Sequence, residues 1–185
     1  MHLEYFRLLD RILEFDPIGR TIQAEAIVPT QSTIFEGHFP GHPLMPGVLL
    51  LEAMAQASGW LIIGITGFTR MPFLAAFKEA KLRSFVTPGQ SLIVRAELLH
   101  EGSGFAMTKA EVQVEGKRVC NAEITFRVVE FPSPAFRASM QEIAAAIAFP
   151  METLSHGCHA AGDLDAGDLD AGDLDHRCRH RLLPR

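Results

Sequence analysis

Gly37-His38-Phe39-Pro40-Gly41-His42-Pro43-Leu44-Met45-Pro46-Gly47-Val48-Leu49-Leu50-Leu51-Glu52-Ala53-Met54-Ala55-Gln56 is the stretch on which the fold turns. Residues 37–47 hold three prolines and three glycines. Proline fixes φ and glycine permits tight turns, so this is a rigid loop of defined shape. The loop leads into an apolar run that predicts a helix from near Pro46 to about Ile65. Proline suits the first helical position, where its missing N–H would have no partner anyway. The helix is apolar nearly all round and must be covered on all sides. An antiparallel sheet wrapped around one long central helix is the economical answer, an α+β architecture. Glu52 lies about a turn and a half inside the helix, with Gln56 at i+4 on the same face. A carboxylate there is costly unless it is paired, protonated or lines a cavity. Burial would favour its neutral acid form.

Working outward, residues 20–28 alternate, with Ile22, Ala24, Ala26 and Val28 on one face. That is a half-buried strand, and Asp16-Pro17-Ile18-Gly19 joins it to the preceding segment as a hairpin. Residues 2–16 fit a helical start or an extended segment. Residues 91–99 read as a further strand. Residues 105–114 and 117–129 flank Glu115-Gly116 as a second hairpin, and Cys120, Ala122, Ile124, Phe126 and Val128 give its last strand an apolar face. Beyond it, Ser139-Met140-Gln141-Glu142 reads as a capping box that starts a final helix.

The chain has 185 residues, 48% apolar and 21% charged, with a formal net charge of −5. That composition excludes wholesale disorder and gives no broad positive field for nucleic acid. The N-terminal segment has no uninterrupted apolar core, so a signal peptide is not expected. Glu52, Gln56 and Ser58 interrupt the run from Val48 to Ile65, which argues for a buried helix in a cytoplasmic protein rather than a membrane span. Three cysteines, Cys120, Cys158 and Cys178, are too few for a disulfide framework. From Ala161 the sequence repeats AGDLD three times. A five-residue period fits neither helix nor strand, so residues 153–185 read as a disordered acidic-repeat tail. His156, Cys158, His159, His176, Cys178 and His180 match no zinc spacing. The expected division is a body over 1–130, a helical extension over 131–152 and the tail.

The central motif resembles the signature of the hotdog-fold (3R)-hydroxyacyl-[acyl-carrier-protein] dehydratases, the FabZ type. The similarity runs from Leu8-Leu9-Asp10-Arg11 through Phe85-Val86-Thr87-Pro88-Gly89 to about Val128. By that resemblance His38 matches the catalytic histidine, Glu52 the catalytic carboxylate and Gly47 the backbone N–H donor to the thioester oxygen. It implies a homodimer, or a trimer of dimers, in which His38 of one subunit works with Glu52 of the other. It also implies acyl carrier protein as the partner bearing the substrate, with no metal or organic cofactor. Glu52, where an isomerising branch has Asp, favours dehydration alone. The residue types suit the chemistry, since eliminating water needs a base at C2 and an acid at the departing hydroxyl.

Gln56, Phe39, Phe73 and Phe77 are candidate substrate contacts, and the thirteen Phe would suit an apolar tunnel for the acyl chain, with Phe68, Phe73 and Phe77 near its mouth. Lys78, Lys81 and Arg83, with Arg70 nearby, are candidate contacts for an acidic carrier. His42 stands where the family commonly has Arg and reads as structural or rim-lining. This replacement, the atypical N-terminal lead-in and the added helix suggest a specialised relative, serving a dedicated carrier or very long acyl chains such as those of lipid A. Two other readings remain open: a hotdog acyl thioesterase, and a non-catalytic acyl-thioester-binding protein.

Overall fold

The Asp16–Gly19 turn joins β1 (Arg11–Asp16) to β2 (Thr21–Ile27) as an antiparallel hairpin, as the pattern predicts. Asp16 closes it, its Oδ1 accepting from the N–H groups of Ile18 (2.9 Å) and Gly19 (2.8 Å). The ambiguous N-terminal segment is a single turn, Leu3–Tyr5, followed by β1. The computed structural model describes residues 1–154. The AGDLD repeat and both His/Cys clusters lie outside the described residues.

After β2, a short helix α1 (Thr33–Gly37) starts at Ser32, whose Oγ accepts from the Ile34 N–H at 3.2 Å. The central helix α2 spans Gly47–Ile65. Pro46 is its N-cap rather than its first helical residue: its ψ of 130° is still extended, and Gly47 opens the helix. Then follow β3 (Arg70–Leu82), β4 (Ser91–Gly102), β5 (Phe105–Val114), β6 (Lys117–Glu130) and α3 (Pro134–Ala146). The six strands form one antiparallel sheet in the order β1-β2-β4-β5-β6-β3. Glu115 and Gly116, both at positive φ, make the β5–β6 turn, the conformation a two-residue hairpin loop prefers.

Helix α2 packs against β2 to β6, the strands turning their alternate apolar residues toward it. Its length and hydropathy would let it cross a membrane, but the sheet covers most of it. A hydrogen bond of 2.9 Å from Thr108 Oγ1 on β5 to Ser58 Oγ, both fully buried, fixes the helix against the sheet. The cover is incomplete, contrary to the all-round burial expected. Eleven of the nineteen residues are buried, while Val48 is 69% exposed and Glu52, Gln56 and Gly59 are half-buried. Those four positions follow helical spacing and form one open stripe.

Residues 70–82 lack the alternation that marks a strand, and sequence patterning assigns them no element. They form β3 because β6 offers a long partner, from Arg70 opposite Glu130 to Leu82 opposite Cys120. β3 is an edge strand in this chain, and it leaves Phe73, Leu74 and Leu82 substantially exposed.

The final helix begins earlier than the Ser139 capping box predicts. Ser133 caps it, accepting from the Phe136 N–H at 3.1 Å, and Pro134 follows in the first turn. Ser-Pro outcompetes the later box because the serine is already extended and the proline needs no N–H partner. The chain then returns to the body. The Ile12 N–H donates to the Ile147 carbonyl at 2.8 Å, and the Phe149 ring packs on Phe15, Trp60 and Phe68 with centroids 5.0, 5.9 and 5.7 Å away. Gly64 gives this cluster room, since a Cβ there would stand 2.6 Å from Phe15 and 2.7 Å from Phe149.

Two outcomes follow from this packing. Phe149→Ala should lower stability to urea by about 3–5 kcal/mol, the usual cost of emptying a buried aromatic site. Phe136→Ala, on the open side of α3, should change it by less than ~0.5 kcal/mol. Burial pushes the Cys120 thiol up from 9.0 to about 11, with Arg83 opposing weakly. The folded state therefore holds this proton more tightly than the unfolded chain does. Its contribution to stability is full below about pH 9 and is lost as pH rises through about 11. With Cys158 and Cys178 changed to Ser, a thiol reagent at pH 8 should label the protein only as it unfolds in denaturant.

Candidate active site

The loop between α1 and α2 is built around His38. Its N–H donates to the Ile34 carbonyl and closes α1, and its own carbonyl accepts from the Leu44 N–H at 2.9 Å. Between these bonds, Phe39 and His42 exchange backbone hydrogen bonds of 3.2 and 2.9 Å around Gly41, whose φ of +73° suits glycine. Met45 then ties the loop to Val86 by a 2.8 Å bond to its carbonyl. The ring of His38 is held as firmly as its backbone. Nδ1 lies 3.0 Å from the Leu44 carbonyl oxygen, and the ring stacks on Phe39 at 4.3 Å between centroids. A carbonyl can only accept, so Nδ1 carries the proton and Nε2 is the basic nitrogen of the neutral ring.

His38 and Gly47 line one cleft of about 620 Å³, together with Phe39, Met45, Leu82 and Arg83. Gly47 opens α2, so its N–H belongs to the set that the helix cannot satisfy internally, at the positive end of the helix dipole. Arg83 donates to Asn121 Oδ1 at 2.8 Å and stands beside the cleft. Phe85, 82% exposed, joins the same wall. The sequence reading did not single out Phe85 or Leu82 as site residues. Phe85 carried a usable signal, since it opens the Phe85–Gly89 motif.

Glu52 stands elsewhere. It is half-buried on α2, where its Oε1 accepts from Gln56 Nε2 at 3.0 Å. Gln56 is itself pinned to the N-terminal segment: Nε2 also donates to the Phe6 carbonyl (2.9 Å), and Oε1 accepts from the Leu8 N–H (3.0 Å). Glu52 and Gln56 line a separate, mostly apolar cavity of about 190 Å³ with Gly59, Met71, Leu74 and Phe126. Within one chain, then, His38 and Glu52 line different cavities.

The remaining candidates are scattered. Phe73 and Phe77 sit on β3 and line neither of these two cavities. Phe68 is 1% exposed and packs into the aromatic cluster, so it is not at a mouth. Lys78 and Lys81 are exposed on β3, the first opposite Glu123 and the second 3.9 Å from Glu79. Arg70 lies 3.7 Å from Glu130. His42 is exposed at the tip of the loop. Among the described residues no group of three His, Cys, Asp or Glu side chains could hold a metal ion.

Comparison with known proteins bears on this arrangement. Residues 1–123 match the family model described as the FabA-like domain. The 3-hydroxyacyl-[acyl-carrier-protein] dehydratase FabZ of Enterococcus faecalis is 38% identical over 128 residues, covering 69% of this chain and 90% of its own. The protein of the same name from Thermus thermophilus is 42% identical over 127 residues, covering 68% and 88%. Among solved structures, a hypothetical thioesterase from Streptococcus pneumoniae TIGR4, crystallised with coenzyme A, superposes with a TM-score of 0.51. It is 15% identical and covers 66% of this chain and 88% of its own, a likeness of fold alone. The chain belongs to the FabA-like family, on its FabZ-type branch, and has the hotdog fold.

Proposed function

We propose that this protein is a hydro-lyase that dehydrates (3R)-hydroxyacyl-[acyl-carrier-protein] to the trans-2-enoyl thioester in fatty-acid synthesis. The observation that carries the reading is the pairing, in one cleft, of a tautomer-fixed His38 with the amide of Gly47 at the start of α2. His38 Nε2 takes the C2 proton, and charge develops on the thioester oxygen. The Gly47 N–H and the helix dipole stabilise that charge. The C3–O bond breaks as the Glu52 carboxyl gives a proton to the leaving hydroxyl. Water departs and the C2–C3 double bond forms. His38 then carries the extra proton and Glu52 lacks one, and transfer between them through solvent resets the site.

In the proposed site, His38 and Glu52, which line different cavities of one chain, meet where two chains combine. The open stripe Val48, Glu52, Gln56 and Gly59, with the apolar edge of β3, supports a homodimer in which two α2 helices lie side by side. Each site then takes His38 from one subunit and the partner subunit's Glu52. A trimer of such dimers is compatible with the same edge. Lys78, Lys81 and Arg83 offer cationic side chains to the acidic carrier, and Arg83 does so beside the cleft. The cytoplasm, where soluble carrier circulates, is the proposed location. The likeness to thioesterases is one of fold, and nothing described here favours a lipid A specialisation.

Following enoyl formation by its ultraviolet absorbance, His38→Ala and Glu52→Gln should each lower kcat by about 10²–10⁴ in folded protein. Mixing and refolding the two inactive variants should restore about a quarter of the sites, because one of the two sites in each mixed dimer is intact. No recovery would place His38 and Glu52 in a site within one chain. Full activity in both single variants, or release of free thiol without enoyl, would overturn the dehydratase reading.

A further inference from the structure

Two cavities adjoin across a thin wall beside Glu52. The first is the 190 Å³ space that holds Glu52 among Met71, Leu74 and Phe126. The second, about 580 Å³, lies between the N-terminal segment and α3 and takes its apolar lining from residues such as Leu9, Ile143 and Ile147. Gln56, Trp60 and Met140 line both and therefore form the wall. Two of the three are fixed. Gln56 is held by hydrogen bonds to Glu52, Phe6 and Leu8. Trp60 is 6% exposed and packs against the rings of Phe68 and Phe149. Met140 is half-buried on α3, and its unbranched thioether is the member of the wall best able to yield.

We propose that Met140 sets the length of acyl chain this enzyme accepts. The inference rests on the dehydratase reading. If Glu52 protonates the hydroxyl at C3, the carbons beyond C3 must leave the acid through the adjoining space, and the apolar cavity around Glu52 is where a hydrocarbon escapes water. The chain runs until it meets Met140. The limit is an addition to the family segment, because α3 starts at Pro134 and the family match ends at residue 123. It also runs against the expectation of very long chains, since the wall closes the path.

The test is dehydration of carrier-bound 3-hydroxyacyl chains from about four to sixteen carbons by the full-length protein, Met140→Ala and Met140→Phe. In the wild type, kcat/KM should fall about tenfold or more once the chain outgrows the cavity. Met140→Ala should raise kcat/KM about tenfold for the next longer chains and leave the shortest substrate unchanged. Met140→Phe should move the fall to shorter chains. Opposite shifts separate a length limit from damage to the fold, which would depress every chain length alike. Unshifted profiles, or a uniform loss in both variants, would overturn the inference while dehydration of short chains upheld the activity. No turnover of any chain by the wild type would overturn the dehydratase reading, and this inference with it.

Discussion

Helix α2 has to give most of its surface to the sheet and yet keep one carboxylate accessible. The rest of the structure follows from that double demand. Burial of residues such as Met54, Leu61 and Ile62 supplies the hydrophobic drive that closes five strands around the helix. The stripe from Val48 to Gly59 is the part withheld. A fully covered helix would bury the Glu52 carboxylate at a desolvation cost. A more open one would not hold the sheet. The proposed two-subunit site would use this division, because a second copy would cover the apolar residues around the withheld stripe.

His38 meets a different constraint. The general base proposed for this site needs a defined tautomer and a fixed position, and the loop supplies both through backbone groups. Leu44 uses its N–H to hold the main chain of His38 and its carbonyl to hold the ring. The prolines and glycines between them give a short segment that can make both contacts. The same loop leads directly into Gly47, so the His38 ring and the Gly47 amide are set by one piece of chain.

Much of this was legible in the sequence. The hairpins at Asp16–Gly19 and Glu115–Gly116 show in turn residues flanked by alternation, and α2 shows in its length and apolarity. His38, Gly47 and Glu52 show as one ordered motif. Three things were not legible, each for a physical reason. β3 depends on its pairing with β6, a non-local contact that residues 70–82 do not signal. The start of α3 turned on a competition between two serines, and the one followed by proline won. The placing of Glu52 and His38 in different cavities of one chain is implied by the family resemblance but not by the residues themselves. One stands on the open stripe of α2 and the other in the loop before it. Spacing of fourteen residues in sequence carries no information about that.

Gln56 extends the dependence of the acid well beyond the helix. Its amide grips the main chain at Phe6 and Leu8 while holding the Glu52 carboxylate. The Glu52 side chain, the proposed acid, is thus oriented by contacts reaching back nearly fifty positions along the polypeptide. A partly assembled molecule with helix and sheet in place but the leading segment undocked would have the acid present and unaimed. Under the proposed mechanism turnover would report on completed folding, and an intermediate lacking only its first few residues' contacts should be catalytically silent.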